Sequence, residues 1–144
     1  MRPFRHRPPV PAHVGEGFLA AEAPALQRSF RAALHAAERA AGQPVPADVE
    51  VSRGADDRVV LAWRNVLVGF VPESHRALLA AQVDAARPAA LTAEGVVHRS
   101  DHLWRLWVGP APEDGFPPPE PGLDTLPAPE NTILGIRLPR PDGP

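Results

Sequence analysis

The last apolar stretch before the proline-rich C-terminal part contains three side chains whose chemistry suits a ligand. We predict a β-hairpin over residues 94–108 with its turn at residues 100–101. Because side chains alternate between the two faces of a strand, this hairpin places His98, Arg105 and Trp107 on one face, which is expected to be more exposed than the other. An aromatic ring beside an arginine and a histidine is the combination that stacks on bases and neutralises phosphates in single-strand binders.

The same three side chains also fit a purely structural role. Trp107 could be covered by a helix over residues 23–42 or by the last strand-like segment, with Arg105 packed over the ring. A tryptophan on a sheet face needs cover from some element, and the sequence offers both candidates. The sequence therefore leaves two interpretations of this face open, a ligand-binding surface and a buried packing surface.

The remaining polar residues do not assemble into a catalytic or metal site. His98 and His102 flank the predicted turn but point to opposite faces, whereas zinc needs three or four ligands in a fixed geometry. Asp56 and Asp57 are neighbours in a turn, where carboxylates are more typical of turn formation than of a general acid–base pair. The sequence also lacks cysteine, which excludes a thiolate ligand, a disulfide and a cysteine nucleophile. We therefore predict a protein that is not an enzyme and binds no metal or other cofactor.

Hydrophobic spacing predicts the elements that must hold the hairpin in place. Apolar residues recur at helical spacing in two segments and at the two-residue spacing of strands in several others. If Arg64-Asn65 is the turn of the central hairpin, Val59 pairs with Phe70. The predicted elements are helices over residues 23–42 and 75–87 and strands over residues 49–51, 58–63, 66–71, 94–99 and 102–108. This order predicts an α+β fold, a small partly open antiparallel β-barrel with an N-terminal helix and one helix inserted between hairpins.

Prolines and charges divide the chain into four parts. The chain has 144 residues and 20 prolines, and most of the prolines lie in its first eleven residues or after residue 109. Because proline fixes φ and lacks a backbone donor, dense clusters of it disfavour helix and sheet. The predicted parts are a flexible basic arm at 1–16, a globular domain at 17–109, a proline-rich acidic linker at 110–131, and a terminal strand and tail at 132–144.

Composition narrows the class of protein further. The formal net charge of −2 argues against a general polyanion binder, which normally carries a strong basic excess. No apolar run approaches the roughly 20 residues of a membrane span, and the charged N-terminus has no apolar segment behind it that would make a secretory signal. We predict a small soluble cytoplasmic protein that does not bind membranes.

The run Val68-Gly69-Phe70-Val71-Pro72, which ends the second strand of the predicted central hairpin and precedes a predicted helix, resembles a motif of the HIRAN domain family. The resemblance extends over about residues 49–108 and covers the second half of such a domain. It implies a compact β-barrel module that binds the 3′-hydroxyl end of single-stranded DNA through an aromatic residue and an acidic residue. Here Phe70 could take the place of the aromatic residue and Asp56 or Asp57 that of the acid, with Asp57 our choice for the site, while the family's usual loop before the central strand is missing.

Together these features predict a non-catalytic binding module. The first hypothesis is that it binds single-stranded nucleic acid or DNA ends through Phe70, His98, Arg105, Trp107 and Asp57. The alternative is a protein–protein adaptor or structural subunit, in which residues 132–138 add a strand to a partner or to a second copy of the chain. The apolar residues of that strand are Ile133, Leu134, Ile136 and Leu138.

Overall fold

The computed structural model of the protein describes residues 7–127 and the backbone of residues 132–133 and 136–137. The helices are a 3-10 helix at Ala23–Leu26, followed by α1 at Gln27–Ala33, α2 at Ala36–Ala41 and α3 at Glu73–Ala86. The strands are β1 at Val10–Pro11, β2 at Phe18–Leu19, β3 at Val45–Arg53, β4 at Val59–Trp63, β5 at Val66–Phe70, β6 at Leu91–Ser100, β7 at Leu103–Val108, β8 at Thr132–Ile133 and β9 at Ile136–Arg137. In these ranges no helix is both long enough and apolar enough to cross a lipid bilayer.

The main sheet curls until its two ends meet. Its antiparallel strands follow the order β2-β7-β6-β3-β4-β5, and β1 pairs with one end of β6 in parallel. Just beyond β2, the Ala21 N–H donates to the Phe70 carbonyl at 2.8 Å, and the Phe70 N–H donates back to the Ala21 carbonyl at 3.2 Å. Because Phe70 ends the opposite edge strand, this bridge brings the sheet close to a barrel. The predicted α+β fold with a small partly open antiparallel β-barrel is confirmed.

The core lies between the concave face of the sheet and the helices. Side chains alternate strictly between buried and less buried along β4, as the two-residue period of a strand requires. The helices close this core, with Phe30 of α1 and Leu79 of α3 fully buried. Other fully buried side chains are Val49, Val51, Val59, Leu61, Val68, Val71, Val97, Leu106 and Val108.

The predicted helix over residues 23–42 is divided into three short pieces. The backbone of Leu34 is extended, with φ −74° and ψ 137°, so α1 ends there and α2 starts two residues later. Arginine side chains satisfy the carbonyls that this break releases: Arg64 donates to the Ala33 carbonyl at 2.9 Å, and Arg39 donates to the Leu34 carbonyl at 2.7 Å. Arg64 also binds Glu38 in α2, which lowers the pKa of that carboxyl to about 2. The prediction of one continuous helix is wrong because a distant turn residue stabilises the break.

The hairpin β4–β5 has the predicted turn but not the predicted register. Arg64 and Asn65 both have positive φ, 52° and 65°, as a tight two-residue hairpin turn requires. A β-bulge then shifts the pairing, so that Phe70 lies opposite Val60 rather than Val59. Val68 therefore remains in the core while Phe70 turns to the outer face, where it is only partly buried.

The hairpin β6–β7 turns one residue later than predicted. Asp101 and His102 form the turn, both with positive φ, and His98 pairs with Arg105. A turn displaced by one residue changes the pairing by two positions, and a two-residue slip leaves every side chain on its original face. His98, Arg105 and Trp107 therefore do share one face of the sheet.

The two proline-rich ends are held against the domain over the described residues. In the arm, Val10 and Pro11 pair with β6, and the backbone of His13 exchanges two hydrogen bonds with the side chain of Gln82 on α3, at 2.7 and 2.9 Å. At the other end, residues 110–127 form turns and bends but no helix or strand. We call residues 110–127 the covering segment, because they lie on the sheet face that carries His98.

Candidate binding surface

The three side chains singled out on the β6–β7 hairpin are buried. His98 is 3% exposed, Arg105 4% and Trp107 6%. The prediction that this face is the more exposed one is therefore wrong. The covering segment contacts all three side chains, because it crosses this face of the hairpin.

The covering segment begins with aromatic contacts. The ring of Phe116 stacks on His98, with ring centroids 3.9 Å apart and an angle of 6° between the planes. The same phenylalanine lies 6.3 Å from the ring of Trp107, and the indole Nε1–H of Trp107 donates to the Pro110 carbonyl at 2.9 Å. This end of the segment therefore uses one flat ring and one backbone acceptor to cover the histidine and the tryptophan.

The segment ends in a buried polar cluster. Asp124 accepts two hydrogen bonds from the guanidinium of Arg105, at 2.6 and 3.4 Å, and one from the backbone N–H of Glu22 at 2.9 Å. The carboxylate of Glu22, a residue that is itself 6% exposed, accepts three hydrogen bonds: from the N–H and hydroxyl of Thr125, both at 2.7 Å, and from the N–H of Leu126 at 2.8 Å. Every buried charge of this cluster therefore has a partner.

Between these two anchors the covering segment borders a cavity of about 360 Å³. The ring of Phe70 lies in its wall, with the guanidinium carbon of Arg58 5.0 Å from the ring centroid. Arg76 of α3 also lines the cavity, and its Nε is buried with no hydrogen-bond partner among the described residues. The cavity is mixed in charge, since Glu73 and Glu120 line it as well.

Four of the five predicted binding residues therefore lie along the path of one segment, and one does not. Phe70, His98, Arg105 and Trp107, together with Arg58 and Arg76, form what we call the binding surface. Asp57 lies outside it, exposed at a positive φ of 59° in the turn before β4. The sequence predicted Asp57 as the acidic member of the site, but the acids that approach the binding surface are Glu22, Glu73, Glu120 and Asp124.

The predicted partner strand lies only in part within the described residues. The backbone of β8 pairs with that of β9 in an antiparallel two-stranded sheet, with Ile133 opposite Ile136. Leu134 and Leu138 fall outside the described residues. The segment predicted as one strand therefore contains two short strands that pair with each other.

The described residues contain no group of three or more histidine or acidic side chains placed to hold a metal ion. The two hairpin histidines differ in environment: His102 is exposed in the turn, and His98 is buried beneath Phe116. At the binding surface Arg105 forms a hydrogen-bonded pair with a carboxylate, Arg58 lies over the Phe70 ring, and the Nε of Arg76 has no hydrogen-bond partner among the described residues. This arrangement suits recognition of charged, planar groups.

Burial sets the protonation state of His98. Burial lowers the pKa of its imidazole from 6.5 to about 4; a backbone hydrogen bond with Arg99 opposes the shift and the charge of Arg105 adds to it. Between pH 6.5 and pH 4 the unfolded chain binds a proton at this residue that the folded chain does not. The free energy of unfolding is therefore expected to fall as the pH is lowered through this interval.

Urea unfolding of the H98F variant at pH 7, 5.5 and 4.5 checks this expectation. Phenylalanine keeps a flat ring against Phe116 and removes the titrating group. The free energy of unfolding of the variant is expected to lack a pH dependence equivalent to at most one proton. The variant is therefore expected to differ least in stability from the wild-type protein at pH 7. An unchanged difference between the wild-type protein and the variant at all three pH values would contradict the assignment.

Sequence reasoning missed the residues that cover the surface. Phe116, Asp124 and Glu22 belong to segments without hydrophobic periodicity, so no helix or strand pattern points to them. The one available signal is Phe116 itself, an aromatic residue amid prolines and acids, which a freely solvated linker does not need.

The fold and this surface define a small α+β barrel module in which the protein's own covering segment occupies the binding surface. Comparison of the sequence and the structure with protein-family models, curated proteins and solved structures finds no match.

Proposed function

We propose that this protein is a non-catalytic module that binds single-stranded nucleic acid on the binding surface. The observation that carries the proposal is the juxtaposition of Phe70, His98, Arg105 and Trp107 along the path of one segment, which presents a ring and carboxylates to them. A single strand of nucleic acid likewise presents flat rings and negative charges. Single-strand binders hold such chains with aromatic side chains and arginines.

The contacts of the covering segment support this choice of ligand. Phe116 lies flat on His98 as a base would, and the carboxylate of Asp124 takes the bidentate position on Arg105 that a phosphate would take. The surface thus holds both kinds of group that nucleotides present. The resemblance of the central stretch to the HIRAN family favours the same ligand class, and we propose that a strand end binds near Phe70.

The cavity beside Phe70 supplies room for one nucleotide-sized group. Its volume of about 360 Å³ lies within the range of roughly 300–1,000 Å³ that small-molecule sites occupy. Arg58 already lies over the Phe70 ring, and Arg76 forms no ion pair among the described residues. We propose that a base stacks on Phe70 and that these two arginines contact the adjoining phosphates.

Fluorescence anisotropy with a labelled single-stranded 12-nucleotide DNA tests the proposal. F70A is expected to weaken binding about tenfold, because stacking on one aromatic side chain contributes about 1–3 kcal/mol per base. R58A is expected to weaken binding and to reduce the slope of log K against log salt by about one contact. The matched control is R99A, which removes an exposed arginine from the opposite face of the same hairpin.

Two outcomes would refute nucleic-acid binding at this surface. One is the absence of binding by the wild-type protein at 20 mM salt, where phosphate contacts are strongest. The other is equal weakening by R99A and R58A with no effect of F70A, which would show that only the total charge of the protein matters.

We retain the adaptor function as a second proposal, since the paired backbone of β8 and β9 forms a unit of its own beyond the covering segment. In this proposal the two short strands pair with a partner protein or with a second copy. Light scattering after size exclusion compares the full chain with a chain that ends after residue 127, which keeps the Glu22 and Arg105 contacts intact. If the full chain and the shortened chain have the same number of copies per particle, self-association does not occur through this segment.

A further inference from the structure

The covering segment is charged oppositely to the arginines that it covers. It contains four acidic residues and no basic one, and the acids are Glu113, Asp114, Glu120 and Asp124. The binding surface contributes three arginines. The segment contains no helix or strand. Nevertheless, the Arg105 side chain that it covers is only 5% exposed. No ligand can reach Arg105 or His98 while the segment is in this position.

We propose that the covering segment is a built-in competitor of the ligand, which single-stranded nucleic acid must displace before it reaches the full binding surface. The inference rests on the proposed function. The phenyl ring of Phe116 takes the position of a base and the carboxylate of Asp124 that of a phosphate. When the segment is displaced, a base and a phosphate replace the contacts of Phe116 and Asp124. The net free-energy cost of displacement is therefore small compared with the free energy of the contacts that are lost.

Displacement also changes the charge of the surface. Asp124 and Glu120 leave with the segment, whereas Arg58, Arg76 and Arg105 remain. Two acids also remain, Glu22, which loses its three donors and becomes hydrated, and Glu73 at the start of α3. The surface that is left carries one net positive charge. This charge attracts both a phosphate chain and the acidic segment, so nucleic acid binds in preference to the segment only when aromatic stacking also contributes to its affinity.

Two glycines of the covering segment allow the competition to be tested without changing a side chain of the binding surface. Gly115 and Gly122 have φ values of 86° and 84°, and an added Cβ would meet no atom within 4 Å at either position. Alanine at these positions therefore causes no clash but disfavours the backbone conformation of the covering segment. The strain is equivalent to roughly tenfold in the equilibrium for each position. Gly15 is the matched control, because it has φ 63° and the same open surroundings but lies in the N-terminal arm.

The experiment combines hydrogen exchange with DNA binding on the full chain. In the G115A/G122A variant, the amides of Thr125 and Leu126, which donate to Glu22, are expected to exchange at least tenfold faster than in the wild-type protein. Affinity for the 12-nucleotide strand is expected to rise by a similar factor, because apparent affinity scales with the population of the binding-competent state. Saturating DNA is expected to accelerate the same two amides in the wild-type protein. G15A is expected to change neither quantity.

The outcomes separate this inference from the proposed function. If DNA binds the wild-type protein but leaves the exchange of Thr125 and Leu126 unchanged, the covering segment is not a competitor, although the module still binds nucleic acid. Faster exchange in G115A/G122A without any gain in affinity would overturn the inference in the same way. If neither the wild-type protein nor this variant binds DNA at 20 mM salt, the proposed function itself is wrong.

Discussion

Replacement of Asp124 by asparagine is expected to lower the free energy of unfolding by about 2–3 kcal/mol. The change leaves the guanidinium of Arg105 without its carboxylate in a site where Arg105 is only 4% exposed. Removing one partner of a fully buried ion pair costs about 3–5 kcal/mol, and we take a lower value because the side chain of Asp124 is 18% exposed. Urea unfolding at pH 7 measures the loss.

A double-mutant cycle separates the pair from its surroundings. The double variant R105M/D124N is expected to lose less free energy of unfolding than the two single variants lose together, because it leaves no unpaired buried charge. Strict additivity would contradict a direct coupling between the two residues. The matched control is D84N, which breaks the Arg53–Asp84 pair at 2.7 Å. That pair is exposed to solvent, so little change is expected.

Replacement of Phe30 by alanine is expected to cost about 3–5 kcal/mol of folding free energy, the usual range for a buried phenylalanine. Phe30 is 0% exposed and joins the short helix α1 to the core of the barrel. Because α1 and α2 are brief and separated by a break, they gain little stability from helix formation itself. Thermal or urea unfolding measures the loss.

The control for this core replacement is L78A on α3. Leu78 is 53% exposed, so its truncation removes little buried surface and is expected to change stability by less than about 0.5 kcal/mol. If F30A were no more destabilising than L78A, α1 would not be packed on the barrel as described.

The contacts of the covering segment decide where the chain can be shortened without exposing the binding surface. A chain that ends at Gly109 loses Phe116 and Asp124, and so uncovers Trp107 and leaves Arg105 unpaired. Any change in binding or association would then combine an uncovered apolar face with the loss of the terminal strands. A chain that ends after residue 127 avoids this, because every described contact of the covering segment remains.

The sequence was most informative where a local period decides the structure. Alternation along β6 and β7 predicted which side chains share a face, and a turn error of one residue did not change that grouping. Helical spacing over residues 75–87 predicted α3, which begins two residues earlier, at Glu73. Two apolar runs separated by two residues predicted the turn at Arg64-Asn65, and both residues have positive φ.

The register of β4–β5 and the break between α1 and α2 were outside the reach of such patterns. Val68 and Phe70 are both apolar, so their order along the strand cannot show which of them a bulge turns out of the core. One of the two arginines that bind carbonyls at the break is Arg64, which lies about thirty residues from the carbonyl that it binds. A helix pattern contains no information on a partner so distant in sequence.

By itself the sequence determined the α+β class, the hairpins and the shared face of His98, Arg105 and Trp107, because each follows from neighbours within a few residues. Only the tertiary structure decided that this face is covered, and by which segment. The contacts responsible join Glu22 to Thr125 and Leu126, more than a hundred residues apart, through a proline-rich stretch that has no hydrophobic period. Charge and ring pairing across that separation, rather than local propensity, positions the segment on the surface that we propose for the ligand.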